Sequence, residues 1–183
     1  MNGQVKIVDV KVAFKPKHWQ NEYNHNKKHI VPHYGSISSK DIFFLREHSN
    51  VKKICEIGTG SGRSTKALSK WGAEVHTIDQ YDHQAEYNQK NAKFYFMHSN
   101  HFWKTHNKSG FNLYFIDATI NLIDAKEIFK RATDNFKIIL HDYKGEDKGV
   151  HNHKMMIQYL FDKCHTEEST GGGCCSLIEC EKL

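Results

Sequence analysis

The sequence predicts an α/β fold built on a doubly wound, mostly parallel sheet that closes with an antiparallel C-terminal hairpin strand. Short apolar runs of strand length alternate with segments of helical periodicity from about residue 36 onward. A glycine turn joins the first of these runs to the first following helix, at Gly58, Gly60 and Gly62. The last two runs follow each other across glycines 171–173 with no helix between them. Strands that alternate with helices favour a parallel sheet with right-handed crossovers.

Each element is predicted from its own stretch of sequence. An amphipathic helix over residues 38–48 is expected to cap the sheet with its apolar side chains. Strands are then predicted over 53–57, 73–79, 93–97, 111–117 and 136–140, and helices over 62–71, 83–91, 101–106, 122–132 and 155–161. The run 136–140 is apolar at nearly every position, as expected of a parallel strand that is covered on both faces. Residues 164–169 and 174–180 are predicted to form the closing hairpin.

The chain divides into an N-terminal arm or lid, residues 1–35, and one folded domain, residues 36–183. The arm lacks a sheet pattern, and its lysines, histidines and aromatic residues are interspersed. A nucleic-acid site would use such cations and stacking rings. The density of charge is low for a polyanion site, which favours an arm that packs on the sheet.

Composition favours a single cytoplasmic unit. The 183 residues suffice for a sizeable core, and the net charge of +5 is modest. No apolar run approaches the ~20 residues that span a bilayer, and the first residues lack the apolar stretch of a secretory signal. Five cysteines, an odd number without regular spacing, indicate a reducing compartment.

The cysteines near the C-terminus raise the question of a zinc site. Counting about the glycine turn places Cys174 and Cys180 on one face of the hairpin, and Cys164 and Cys175 on the other. Four ligands must converge on a tetrahedral zinc ion. Buried thiols are therefore favoured over a zinc site built from these cysteines.

The glycine turn and two acidic residues indicate a nucleoside cofactor. Glu56 precedes the first glycine by two residues, and Asp79 ends the second strand, where a carboxylate can accept both hydroxyls of a ribose. The dinucleotide fingerprint requires a third glycine where Arg63 or Thr65 stands, so the pattern departs from it. An acidic residue suits a cationic ligand without phosphates, such as S-adenosylmethionine (SAM). A glycine turn without any ligand is the remaining alternative.

Residues 56–65 (EIGTGSGRST) resemble the first motif of class I SAM-dependent methyltransferases, and the Ser-Thr ending is similar to a small-molecule O-methyltransferase-like group. Residues 114–118 (YFIDA) and 141–143 (HDY) support that group. The resemblance covers about residues 36–162 and implies a Rossmann-like fold. Residues 118–121 (ATIN) stand where the group usually carries a second Asp-His pair.

On this resemblance the cofactor site lies at the ends of the first three strands. The glycines admit the methionine part, and Glu56 holds the turn, or the ammonium group through water. Asp79 accepts the ribose hydroxyls, and Gln80 lies beside the adenine. Ser99 and Asn100 are placed for the adenine amino group, with service as helix N-caps as their alternative. The implied cofactor-binding residues are Glu56, Gly58, Thr59, Gly60, Ser61, Gly62, Asp79, Gln80, Ser99 and Asn100.

Catalysis is assigned to Asp117, His141 and Asp142. Methyl transfer is an in-line displacement, and a hydroxyl acceptor also needs its proton removed or its anion stabilised. His141 is one candidate base. Alternatively, Asp117 and Asp142 hold Mg²⁺, which lowers the hydroxyl pKa. Catechol O-methyltransferase-like enzymes use two Asp and an Asn, and Tyr143 stands at the Asn position. A hydrogen-bonded strand end is the alternative without chemistry.

The predicted function is SAM-dependent methyl transfer to an oxygen of a small-molecule acceptor. One alternative is a non-catalytic SAM-binding module that serves a partner protein. A second is an RNA methyltransferase, whose Lys-Asp-Lys-Glu tetrad needs a lysine in the fifth strand. Lys137 lies at the start of that strand, away from the ligand-bearing end, so nucleic acid is the less favoured partner. No membrane partner is expected, and a homo-oligomer is left open.

Overall fold

The computed structural model describes residues 37–81, 89–142, 158–160, 162–170 and 174–183, with only the backbone of residues 168–170. The strands are β1 (Lys53–Ile57), β2 (Glu74–Asp79), β3 (Ala92–Phe96), β4 (Phe111–Ile116), β5 (Ala132–His141), β6 (Cys164–Thr170) and β7 (Cys175–Lys182). The helices are α1 (Ser39–His48), α2 (Arg63–Leu68) with a 3₁₀ turn at Ser69–Trp71, α3 (Ser99–Thr105) and α4 (Leu122–Arg131), and residues 158–160 are also helical.

The seven strands form one sheet in the order β3-β2-β1-β4-β5-β7-β6. The first five strands pair in parallel, and β7 lies antiparallel between β5 and β6. The predicted fold class is therefore confirmed. The chain winds outward from β1 in one direction and returns to start the other half at β4, so Ile57 and Ile116 are neighbours. In such sheets ligands bind in the crevice at this switch point, beyond the carboxyl ends of the strands.

Both faces of the sheet are covered, and β4 shows why its sequence is apolar throughout. Leu113 and Phe115 point into the layer formed with α1 and α2, while Tyr114 and Ile116 point into the opposite layer. All four side chains have no exposed surface. Because successive residues of a strand face opposite sides, two covered faces require apolar residues at every position.

Several predicted boundaries move once the strands pair. β5 begins at Ala132 rather than at residue 136, because its first residue pairs with Phe111 of β4. α3 begins at Ser99, two residues before its predicted start, so Ser99 and Asn100 form its first turn. Most of the predicted helix 83–91 and of the helix 155–161 lies outside the described residues, as do residues 1–35. Residues 89–91 of the former are not helical.

The predicted faces of the hairpin cysteines need a correction. Cys164 pairs with Lys182, three residues beyond Glu179, the partner that counting about the turn gives. A register shift by an odd number of residues moves a side chain to the other face of the sheet. Cys164 therefore shares the face of Cys180, and both belong to the core layer beneath α4. All five cysteines are free thiols.

Within the described ranges, no helix has both the length and the apolar character that crossing a bilayer requires.

Candidate active site

The glycine turn lies directly on the end of β4. Gly58 has φ +99°, in the region that side chains rarely adopt. A Cβ atom at Gly58 would lie 2.4 Å from the backbone oxygen of Asp117, so only glycine fits this position. The N–H of Gly62 donates to the carbonyl of Thr59 at 2.9 Å, which closes the turn before α2 begins. The turn thus presents bare backbone beside Asp117.

Glu56 fastens this turn from inside. Its side chain has no exposed surface, and its Oε2 accepts a hydrogen bond of 2.5 Å from the hydroxyl of Thr65 in α2. Burial raises the pKa of Glu56 to about 7, against the opposing effect of hydrogen bonds from Ser64, Thr65 and Thr77. Of the two roles predicted for Glu56, these contacts support holding the turn. The hydroxyl of Thr59 also hydrogen-bonds Thr77, at 2.5 Å, so Thr59 ties the turn to β2.

Asp79 joins the end of β2 to the same turn. Its Oδ2 accepts the N–H of Gly60 at 3.0 Å, and its Oδ1 accepts the N–H of Tyr81 at 2.9 Å. These bonds fix the carboxylate at the mouth of the crevice. Each carboxylate oxygen has two lone pairs, so this geometry is compatible with further hydrogen bonds to a ligand diol.

A cavity of about 410 Å³ opens between these groups, at the carboxyl ends of the strands. Of the predicted cofactor residues, Gly58, Asp79, Gln80 and Ser99 line it, together with Asp117. The other predicted cofactor residues are not among its lining residues: Glu56, Thr59, Gly60, Ser61, Gly62 and Asn100. The cavity also has wall residues that the sequence did not single out, namely Met97, His98 and Thr119. These residues follow the ends of β-strands, and that position is the sequence signal that could have identified them.

A larger groove, of about 600 Å³, lies at the opposite end of the strands. Val51, Asn112 and Phe136 are among the residues that line it, close to the amino ends of the strands. None of the predicted site residues lies there. Ligands of parallel sheets bind at the carboxyl ends, so the smaller cavity is the candidate site.

The three residues assigned to catalysis meet at the end of β5. His141 Nδ1 lies 3.1 Å from Asp117 Oδ1 and 3.2 Å from Asp142 Oδ2. The His141 side chain is 5% exposed, whereas that of Asp117 is 24% exposed and lines the cavity. Burial by itself lowers the pKa of His141, but the charge of Asp117 and its hydrogen bond, together with the neighbouring carboxylates of Asp142 and Asp41, raise it well above its ordinary value.

Asp142 has φ +57°, in the left-handed region that a non-glycine residue adopts at a cost of about 1–3 kcal/mol. Its N–H donates to the carbonyl of Cys174 at 2.9 Å, so the β7 end of the hairpin holds the strained backbone in place. Strain of this kind is concentrated at functional sites.

Sequence reasoning missed Asp41 of α1, which lies on the other side of the imidazole. Its Oδ2 is 3.6 Å from His141 Nε2, and its Oδ1 accepts the N–H of Cys174 at 2.8 Å. Burial would raise the pKa of Asp41, but the neighbouring imidazole of His141 and a hydrogen bond from Ser38 lower it to about 2. The sequence does carry one signal, the capping box Ser38-x-x-Asp41, which indicates a helix start. That signal says nothing about a partner one hundred residues away in the chain.

Asp117, His141 and Asp142 also fit a divalent cation. One ligand atom from each lies within 4.8 Å of the other two. Two carboxylates are oxygen donors of the kind that Mg²⁺ takes, with water completing its shell. Tyr143, at the position where catechol O-methyltransferase-like enzymes use Asn, lies outside the described residues.

Several solved structures share this fold. The O-methyltransferase TomG of Streptomyces achromogenes, solved in complex with SAM, matches with a TM-score of 0.67 at 12% identity, over 94% of this chain and 93% of that one. An O-methyltransferase of Bacillus cereus in complex with SAH matches with a TM-score of 0.66 at 16% identity, over 94% of both chains. The tRNA (m1A58) methyltransferase TrmI of Aquifex aeolicus matches with a TM-score of 0.60 at 17% identity, over 81% of this chain and 70% of that one.

The fold is therefore the Rossmann-like fold of SAM-dependent methyltransferases. At these identities the similarity shows the fold alone. The matching structures include proteins whose names give different methyl acceptors. No family model matches the chain, and no curated protein matches it in sequence.

Proposed function

We propose that the chain is a SAM-dependent methyltransferase that acts in the cytoplasm on an oxygen of a small molecule. One arrangement carries the proposal: the bare backbone at Gly58, the carboxylate of Asp79 and the carboxylate of Asp117 surround one cavity. The bare backbone leaves room for the methionine part, and the carboxylates suit the ribose diol and the cationic groups of such a nucleoside. The five free thiols support a reducing compartment.

The cavity favours a ligand without phosphates. Its volume, about 410 Å³, lies in the range of small-molecule sites. Among the described residues that line it there is no Lys or Arg, while Asp79 and Asp117 contribute carboxylates. Carboxylates repel a pyrophosphate and attract a sulfonium or ammonium group. The ribose diol is assigned to Asp79. The Gly60 N–H holds this carboxylate in position at the end of β2.

Asp117 is the residue of the catalytic group that reaches the acceptor. It lines the cavity, whereas His141 and Asp142 lie behind it. Asp117 can hydrogen-bond an acceptor hydroxyl, align its lone pair with the methyl group and receive its proton. His141 holds the Asp117 carboxylate through Nδ1 and acts as a positioning residue. A Mg²⁺ ion, if required, would be held by Asp117 and Asp142, and it would lower the pKa of a bound hydroxyl.

Calorimetry with SAM and SAH tests the cofactor. We expect both to bind, and Asp79→Asn to weaken binding roughly 10- to 100-fold, since a hydrogen bond to a charged group contributes about 1.5–3 kcal/mol. Asp134→Asn is the matched control, because Asp134 is exposed at the opposite end of the sheet and should leave affinity unchanged. Heat absent with both compounds, from folded protein, would contradict the proposal.

Transfer of a labelled methyl group separates the enzyme from its alternatives. Turnover with a small hydroxylated acceptor, lost in Asp117→Asn while SAM still binds, is the expected result. A non-catalytic binding module would bind SAM without any turnover. The fold likeness to a tRNA methyltransferase keeps RNA as the second alternative. RNA binding that weakens steeply with salt would favour it.

A further inference from the structure

A second set of donor atoms lies on the side of His141 that faces away from Asp117. The Oδ2 of Asp41 is 3.6 Å from Nε2 of His141. One ligand atom each from Asp41, His141 and Cys174 lies within 4.8 Å of the other two. The three residues come from α1, from the end of β5 and from the residue before β7, so the fold brings together distant parts of the chain.

The Nε2 atom of His141 is buried and has no hydrogen-bond partner, and the whole side chain is only 5% exposed. Its other nitrogen, Nδ1, is already held by Asp117 at 3.1 Å. Metal-binding histidines show this division, in which one ring nitrogen bonds a carboxylate and the other carries the metal. A buried polar atom without a partner is costly, and a bound cation would satisfy it.

The backbone fixes Cys174 beside this atom. Its N–H donates to Asp41 Oδ1 at 2.8 Å, and its carbonyl accepts the N–H of Asp142 at 2.9 Å. The next residue, Cys175, pairs directly with His141 across β5 and β7. Cys174 is partly exposed.

We propose that Asp41, His141 and Cys174 form a binding site for a transition-metal cation of the zinc class. One oxygen, one imidazole nitrogen and one sulfur are a donor set that suits Zn²⁺ rather than Mg²⁺. Two ligands at about 2.0–2.2 Å from a tetrahedral ion are roughly 3.4 Å apart, close to the 3.6 Å between Oδ2 and Nε2. The fourth position would hold water. This site does not depend on the proposed methyl transfer.

Binding is coupled to proton release. A thiol binds a metal ion as its thiolate, and an imidazole binds one through a nitrogen that carries no proton. As the sulfur–metal bond forms, the thiol proton leaves to solvent, and a proton on Nε2 leaves likewise. Affinity therefore falls as the pH falls.

Titration of the purified full chain with Co²⁺ alone, under reducing conditions, tests the site. We expect one equivalent to bind, with the visible bands of tetrahedral cobalt and a near-ultraviolet thiolate-to-cobalt charge-transfer band. Cys174→Ser should abolish the charge-transfer band, and Asp41→Asn should weaken binding by at least about tenfold. Zn²⁺ added afterwards should displace the cobalt and bleach the spectrum.

Cys180→Ser is the matched control. It removes a buried thiol of β7 that lies outside the cluster, and it should leave the spectrum unchanged. Circular dichroism checks that each variant is folded, and partly exposed Cys174 is the substitution least expected to disturb folding. The absence of stoichiometric binding, or a charge-transfer band that survives Cys174→Ser, would overturn the proposal.

Discussion

At the residue scale, the glycine turn depends on a carboxyl group that water does not reach. Glu56 is fully buried, and its bond to Thr65 is the link between β1 and α2. Desolvation favours the neutral acid, which explains a pKa of about 7 against an ordinary value of 4.5. The acid that the sequence motif singles out is thus a support for the turn in this structure.

This carboxyl group makes stability depend on pH. The folded state holds the proton more tightly, so the contribution of Glu56 is complete below about pH 4.5 and is lost as the pH rises through about 7. Glu56→Gln should remove this dependence. Urea unfolding at about pH 5 and about pH 8 should show the wild type losing up to about 3 kcal/mol relative to the variant. Glu181→Gln, an exposed control, should show no such difference.

At the scale of single elements, helix α4 begins three residues after Thr119, which lines the cavity. Asn121 caps the helix by accepting the N–H groups of Ile123 and Asp124, at 2.8 and 3.2 Å. The Asp124 carboxylate in turn accepts a hydrogen bond from the N–H of Asn121 and another, of 2.7 Å, from the indole N–H of Trp103. The cap therefore joins α4 to α3 as well as starting the helix.

Loss of this cap should destabilise the fold. Asn121→Ala leaves two N–H groups without their side-chain acceptor, and we expect a loss of about 1 kcal/mol in the free energy of unfolding. Lys126→Ala, exposed in the middle of the same helix, is the control and should change stability by less than about 0.5 kcal/mol. Equal effects of the two substitutions would show that the cap contributes nothing.

At the scale of the whole molecule, β7 is an internal strand although it is last in the chain. It lies between β5 and β6, and its apolar residues enter both core layers. Ile178 has no exposed surface and pairs with Ile138 of β5. The C-terminal strand therefore stabilises the end of β5, where His141 and Asp142 lie.

Ile178→Ala should cost about 2–5 kcal/mol through lost apolar contacts and the cavity left behind. Urea unfolding followed by circular dichroism measures the loss, and a single transition is expected for one cooperative domain. Ile123→Ala provides the comparison, since the Ile123 side chain is 53% exposed. A change as large at Ile123 as at Ile178 would contradict this account of the core.

Local patterns were enough for the order of the strands and of the described helices, the glycine turn and the placement of Asp79 and Asp117 at strand ends. Those features follow from periodicity and from the backbone needs of a few neighbouring residues. Tertiary packing alone decided three features: the register of the hairpin, the partial exposure of Asp117 in the cavity wall, and the approach of Asp41 to His141. Such contacts join residues far apart in the chain, and a shift of one residue in strand pairing changes which side chains meet.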